Sequence, residues 1–312
     1  MNLSIIIVNL NTASLLLEAI AALPAACRGM IYETIVVDNG STDNSPALVR
    51  ERFPYTRLIV NDQNVGFARA NNQAIRLAHA ESILLLNSDT RAEPDSIAEL
   101  VRFMREHPRA GIVGPRLVNA DGTFQGSAAD FPTVVGESLL LLGSAARRLR
   151  GPTFPYRALP ADLSPRRVGW VSGACLLIRR AVIEQIGHLD EGYFMYTEET
   201  DWCYRATRAG WEVWWAPGPA VIHLGGATAQ QSLSLKRRQI YGSKVRFFRK
   251  HYGRPAAWIF AAAVYCTSLI KTVCWGGAAL LGRPDRRLVA RENTRAYLKV
   301  LAPGQTESQS EA

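Results

Sequence analysis

The sequence predicts an α/β domain built on a buried, largely parallel sheet and followed by a basic, apolar helical extension. Three observations carry that prediction. Over the first 115 residues, short β-rich apolar runs alternate with longer amphipathic stretches, which is the pattern of βαβ units. Three of the apolar runs pass directly into polar clusters, as strands do where a sheet opens onto a site. The charge changes character after residue 212: Val213 to Pro284 contains no Asp or Glu but ten Lys and Arg.

Strands are expected at Ser4–Val8, Thr34–Val37, Arg57–Val60, Ser82–Leu86 and Ile112–Val113. The polar clusters are Asn9-Leu10-Asn11-Thr12 after the first, Asp38-Asn39-Gly40-Ser41-Thr42-Asp43 after the second and Asn87-Ser88-Asp89-Thr90 after the fourth. Ligands of open α/β sheets bind at the carboxyl ends of strands, so the clusters should share one site. Gly122 to Val168 is irregular, with Pro132, Pro152, Pro155, Pro160 and Pro165 and the basic Arg147-Arg148-Leu149-Arg150, and reads as a mobile connection facing substrate. Strands at Gly169–Arg179 and Trp211–Trp215 should then complete the sheet near His223-Leu224-Gly225-Gly226, giving a domain over 1–230 and an extension over 231–312.

In the extension, a helix over Ser234–Tyr252 should place Tyr241, Val245, Phe248 and Tyr252 on one face. Pro255 to Ile270 is an uncharged run of 16, broken by Lys271 before Thr272–Gly282 resumes it. That length falls short of the ~18 residues expected of a spanning helix. A central Lys would also cost roughly 2.5–3.5 kcal/mol on insertion. A helix or helix pair lying in a membrane interface is therefore expected, a single tilted span staying open, with a disordered end beyond.

At 312 residues and 48% hydrophobic content the chain is globular rather than fibrous or disordered. Its net charge of +9 arises wholly from the Val213–Pro284 window, because 26 basic residues face 27 acidic ones elsewhere. Such a block suits an anionic partner, and its apolar continuation favours a lipid leaflet over nucleic acid. Cys27, Cys175, Cys203, Cys266 and Cys274 form no CxxC pair and are expected to be reduced thiols. Met1-Asn2-Leu3-Ser4 and the apolar residues after it read as a first buried strand rather than a signal peptide.

Three segments carry chemistry-bearing side chains. Asp89, just past an apolar strand, suits a divalent cation that in turn takes diphosphate oxygens, although taken alone a helix cap before Glu93-Pro94 is the commoner use of such residues. Asn64-Val65-Gly66-Phe67-Ala68-Arg69-Ala70-Asn71-Asn72 opens a helix with a Gly for close backbone approach and an Arg for an anion or base. Glu198, Glu199 and Asp201 lie within four positions, as on a solvated helix start favoured by the helix dipole, but Phe194, Tyr196 and Trp202 flank them. A lone histidine after a strand, such as His223, is more often structural than metal-binding.

Taken in order, these segments resemble the family 2 inverting glycosyltransferases of GT-A fold, and the bacterial rhamnosyltransferase-like members in particular. The matching pieces are Ser4 to Asn9, Val36 to Asp43, Asn64 to Ala68, Leu85 to Asp89, Gly173 to Arg179, Glu198 to Asp201 and Val221 to His223, which cover about the first 225 residues. The resemblance implies a sugar transferred from a nucleotide diphosphate donor to an acceptor hydroxyl in cell-envelope polysaccharide or glycolipid synthesis, with inversion. It points toward dTDP-rhamnose as donor and, with the tail, a polyprenyl-linked acceptor at the cytoplasmic face of an anionic membrane. On it, Asp89 and His223 would hold Mg²⁺ or Mn²⁺, while Asn9, Asp38, Gly66, Arg69, Asn71 and Asn87 would line the nucleotide. Glu199 would be the base, with Glu198 and Asp201 orienting neighbours or acceptor. Two positions depart from the pattern: Asn87 stands where relatives often carry Asp, and Glu199 where Asp is commoner.

Two rival readings remain at this level: a nucleotide-cofactor oxidoreductase on a Rossmann sheet, and a non-catalytic membrane-bound scaffold. The chain lacks GxGxxG after its first strand, and it has no GxxxxGK[ST] loop for a nucleoside triphosphatase. Asp38, Asp89, Glu199 and His223 are all present, which speaks against a degenerate scaffold.

Overall fold

The computed structural model describes residues 2–143, 163–225, 233–281 and 284–301. Arg147 to Arg150, Pro152, Pro155 and Pro160, expected to form a mobile connection, lie outside the described residues, as do Gly226 and the end beyond residue 301. The chain divides into two compact units. One comprises Met1–Phe131, Tyr156–Phe194 and Glu198–Ala229, the other Pro132–Pro155, Met195–Thr197 and Gln230–Ala312.

In the first unit the elements run β1 (Leu3–Asn9), α1 (Ala13–Ala26), β2 (Tyr32–Asp38), α2 (Ser45–Arg52), β3 (Arg57–Val60), α3 (Phe67–Ile75), β4 (Ser82–Asn87), β5 (Thr90–Ala92), α4 (Ser96–Glu106) and β6 (Ala110–Gly114). Short strands follow at β7 (Leu117–Val118), β8 (Phe124–Gln125) and β9 (Ala128–Ala129). After α5 (Val134–Leu140), which belongs to the second unit, come β10 (Arg166–Arg167), β11 (Trp170–Val171), β12 (Cys175–Arg179), α6 (Arg180–Ile186), α7 (Glu198–Arg208), β13 (Glu212–Trp215) and β14 (Val221–His223).

The main sheet has eight strands in the order β10-β13-β6-β12-β4-β1-β2-β3. Strands β4, β1, β2 and β3 are parallel, whereas β12 runs antiparallel to both β4 and β6. Both faces of this sheet are covered, which explains why its strands read as unbroken apolar runs. Leu3, Ile5 and Ile7 pack with Leu16 and Leu23 of α1 and Leu100 and Met104 of α4. Ile6, on the opposite face, packs with Ala68 and Ala74 of α3 and Trp202 of α7. A second sheet, β5-β14-β7-β8, is assembled from strands of two or three residues.

One expected strand is corrected. Gly169–Arg179 is not continuous: β11 pairs with β9 in a separate two-stranded sheet, and a turn at Ser172–Ala174, with Ala174 N–H donating to Ser172 Oγ, redirects the chain into β12. Cys27, Cys175 and Cys203 are free and buried; burial pushes the thiols of Cys27 and Cys203 up to about 12, so they pack as small apolar groups.

The second unit holds α5, α8 (Leu233–His251), α9 (Gly253–Leu281) and α10 (Pro284–Leu301). The apolar stretch of the extension is one helix rather than a pair parted at Lys271. Lys271, a good helix former, does not end it, and its ammonium is placed within the unit: it donates to Leu141 O and stands 5.3 Å from the Tyr297 ring centroid. The face expected to carry Tyr241, Val245, Phe248 and Tyr252 is divided, since Phe248 is buried with its ring 5.1 Å from Phe260, while Tyr252 is exposed. By length and composition, Gly253–Leu280 is long and apolar enough to cross a membrane.

Candidate active site

Parallel pairing sets β1, β2 and β4 in one register, with Asn9 opposite Asp38 and Val8 opposite Asn87, so their polar ends meet. A chain of hydrogen bonds joins them. Asn9 Nδ2 donates to Asp38 Oδ2 at 2.9 Å, Thr12 Oγ1 donates to Asn9 Oδ1 at 2.6 Å, and the Thr12 and Ser88 hydroxyls are 2.8 Å apart. Asp38 Oδ1 accepts from Ser41 N–H at 3.0 Å. Asp38, Asn9, Thr12 and Ser88 are all buried, and buried polar groups satisfied in this way make a rigid rim. Thr12, Ser41 and Ser88 belong to the polar clusters that the sequence assigns to one site, but no spacing marks these hydroxyls out from their neighbours. A cleft of about 820 Å³ beside α1 and α2 touches this rim at Thr12.

The second sheet brings His223 to Asp89. Antiparallel pairing of β14 with β5 sets His223 opposite Thr90, the residue after Asp89. His223 Nε2 lies 3.3 Å from Asp89 Oδ1 and 3.5 Å from Asn87 Nδ2. The turn beneath is tied down by Thr90 Oγ1 donating to Asn87 O and Leu224 N–H donating to Asp89 O. Asp89 is buried and thus held in place. A carboxylate oxygen and an imidazole nitrogen at this separation fit two positions around one divalent ion, since octahedral ligands stand about 3 Å apart. Among the described residues no three His, Cys, Asp or Glu side chains converge on a metal site, so further ligands would come from water or substrate.

Gly66 and the acidic helix form the other side of the site. Gly66, at the start of α3, has φ +88° and ψ 159°, a region open essentially to glycine. Phe67 N–H donates to Phe194 O at 2.7 Å, which ties the start of α3 to the chain leading toward α7. Tyr196 and Thr197, just before α7 in the chain, both have positive φ, a strained conformation for a β-branched Thr.

The helical period sets Glu199 apart from Glu198 and Asp201, which lie three residues apart on one buried face of α7. Glu198 is buried, and its Oε2 has no hydrogen-bond partner among the described residues. Burial, and then the Glu199 carboxylate, hold its carboxyl well above the usual range. Asp201 is fully buried and paired with Arg205 at 2.8 Å, and Arg205 also donates to Ile186 O and His188 O. Glu199 is half-buried beside Gly173, where an added Cβ would lie 3.6 Å from the Glu199 Cβ. Gly173 precedes β12, whose neighbour Ala174 accepts from Asn87 N–H through its carbonyl at 2.9 Å. Glu199 therefore stands toward the same sheet edge as Asn87.

Two candidates are engaged elsewhere. Arg69 is exposed and pairs with Glu191 at 3.3 Å, and Asn71 is buried, its Nδ2 donating to Phe67 O one helical turn back. Asn72 does the tying in α3, donating to Leu189 O and Glu191 while accepting from Leu189 N–H.

Comparison with known proteins bears on the family and the fold. Over 207 residues, covering 61% of this chain, it is 33% identical to a Mycobacterium tuberculosis protein named N-acetylglucosaminyl-diphospho-decaprenol L-rhamnosyltransferase, and it spans 65% of that relative's length. A Haloferax volcanii relative, the low-salt glycan biosynthesis hexosyltransferase Agl10, is 32% identical over 66% of this chain and 62% of its own. In fold, a mannosyltransferase from Pyrobaculum calidifontis, solved with GDP-Man and Mn²⁺, aligns over 96% of this chain and 85% of its own with a TM-score of 0.52 and 16% identity. Such neighbours establish the GT-A fold. Glycosyl transferase family 2 matches residues 4–187, more than half of the sequence, and the chain belongs to that family.

Proposed function

We propose that the chain transfers a sugar from a nucleotide diphosphate donor to an acceptor hydroxyl, with inversion at the anomeric carbon and with Mg²⁺ or Mn²⁺ as cofactor. The observation that carries this reading is the Asp89–His223 pair, 3.3 Å apart at the end of β4, beside the Asn9–Asp38 rim. Asp89 and His223 would hold the divalent ion, which would supply positive charge to offset that of the departing diphosphate. Asp38 and Asn9 are suited to the nucleoside, while Gly66 lets the start of α3 close on the Phe194 backbone rather than leaving room for the donor. The exposed Arg69 would have to exchange Glu191 for the donor.

Glu199 takes the acceptor proton as the acceptor oxygen bonds to the anomeric carbon and the bond to diphosphate oxygen breaks. Its half-buried position beside Gly173 supports that role over Glu198 and Asp201, which are both buried, Asp201 serving to hold Arg205. The relatives' names favour a rhamnosyl donor and a polyprenyl-diphosphate-linked acceptor. Exposed Trp258, Ile259, Ile270 and Val273 on α9, together with the basic residues of α8, favour attachment to the inner leaflet of an anionic membrane. The direct test is a panel of nucleotide diphosphate sugars assayed for nucleotide diphosphate release with lipid-linked acceptors, with Mg²⁺, Mn²⁺ or chelator. Cation-dependent release with one donor supports the proposal, and release undiminished in chelator removes the cation from it.

A further inference from the structure

We infer that Gln125 is a positioning residue that sets the protonation pattern of His223, holding the ring proton on Nδ1 so that the Nε2 lone pair faces Asp89. The inference rests on the reading above, that Asp89 and His223 hold a cation together. A neutral imidazole has one N–H, and only its other nitrogen can coordinate. Two acceptors compete for that proton here: Gln125 Oε1 lies 2.6 Å from Nδ1, and Asp89 Oδ1 lies 3.3 Å from Nε2. Were the proton on Nε2, it would point at Asp89 Oδ1 and leave that ring nitrogen no lone pair for a metal.

The surroundings decide which way the Gln125 amide faces. Asn119 Nδ2 is 2.9 Å from Thr123 Oγ1 and 3.5 Å from the carbonyl oxygen of Phe124, which can only accept, so Asn119 Oδ1 faces the other way. That oxygen is 2.9 Å from Gln125 Nε2, which is also 3.2 Å from His223 O. With Nε2 donating to two carbonyl oxygens, Gln125 must present Oε1 to the ring. An oxygen accepts, so Nδ1 carries the proton. Asn87 Nδ2, a donor 3.5 Å from His223 Nε2, is consistent with a lone pair there. Gln125 reaches the ring from β8, across β7: Leu117 is its partner on one side and that of Val221 on the other.

Ligating histidines are commonly fixed through their second nitrogen, and loss of that partner weakens metal binding by roughly 10–100-fold. The test uses the full chain labelled with ¹⁵N-histidine, His223 being assigned through His223→Ala. The metal-free protein is read by imidazole ¹⁵N shifts and then titrated with Mn²⁺ by electron paramagnetic resonance. Wild type should show the Nδ1–H form. Gln125→Met, which removes the acceptor, should move the proton to Nε2 and raise the Mn²⁺ dissociation constant by about 10–100-fold.

Gln125→Glu keeps an acceptor for Nδ1 but loses the donor to Asn119 and to His223 O. It should retain the Nδ1–H form and bind Mn²⁺ more tightly than Gln125→Met. A role confined to bridging the loop would leave Gln125→Glu as impaired as Gln125→Met, which overturns the inference. Unchanged ring shifts and affinity in Gln125→Met, with Asp89→Ala and His223→Ala still losing Mn²⁺, also overturn it while leaving the cation site standing. If those two variants titrate like wild type, the cation reading falls and the inference with it. Should Gln125→Met fail to fold, Gln125→Asn, whose shorter side chain withdraws the oxygen, is read in the same way.

Discussion

Gly66 stands against the backbone of Phe194: a Cβ at Gly66 would lie 2.8 Å from Phe194 O, the oxygen that accepts from Phe67 N–H. The contact joins the start of α3, on the donor side of the proposed site, to the chain that leads to the acids of α7. Gly66→Ala must both leave a backbone region nearly closed to side chains and push that carbonyl away. We expect a stability loss of at least about 1–3 kcal/mol in denaturant unfolding, with weaker donor binding in the folded fraction. Wild-type stability in Gly66→Ala would show that the contact is dispensable.

Glu198 predicts a pH dependence. Burial and the neighbouring Glu199 raise its carboxyl in the native state, whereas an unfolded Glu ionises near 4.3. Between those two values the native state binds the extra proton. The stability this contributes is fully present below the unfolded value and is lost as pH rises through the native one. Glu198→Gln is neutral throughout, so its melting temperature should gain on wild type as the pH is raised from 4 toward 8. A constant difference across that range would mean that Glu198 is ionised in the native protein.

How much of this was legible in the sequence follows from element length and burial. Strands β1, β2 and β4 are buried on both faces and end in polar clusters, so composition alone locates both strand and site edge. Strands β7 and β8 have two residues each, too few to show any period, yet they build the sheet that carries His223 and Gln125. Gln125 therefore lay unmarked within an irregular stretch. The acids of α7 read as one cluster because sequence spacing hides direction; the helical turn buries Glu198 and Asp201 and leaves Glu199 half-buried. Lys271 read as an interruption because its partners, Leu141 O and Tyr297, are distant in sequence.

Glu199 carries the proposed proton transfer. Glu199→Gln keeps the size of the side chain but cannot take the proton, so turnover should fall by at least ~10²-fold while donor affinity holds. Glu198→Gln should lose far less. If the order is reversed, the base is Glu198, and its raised carboxyl belongs to the reaction rather than to the packing of α7.

The central claim is that Asp89, with His223, holds the cation against the donor diphosphate, and the most direct measurement is calorimetric titration of the nucleotide diphosphate into Asp89→Ala and wild type, each with Mn²⁺ and with chelator. The account predicts that wild type binds much more tightly with Mn²⁺ than with chelator, and that Asp89→Ala loses most of that difference while unfolding as wild type does. An equal Mn²⁺-dependent gain in both proteins would contradict it.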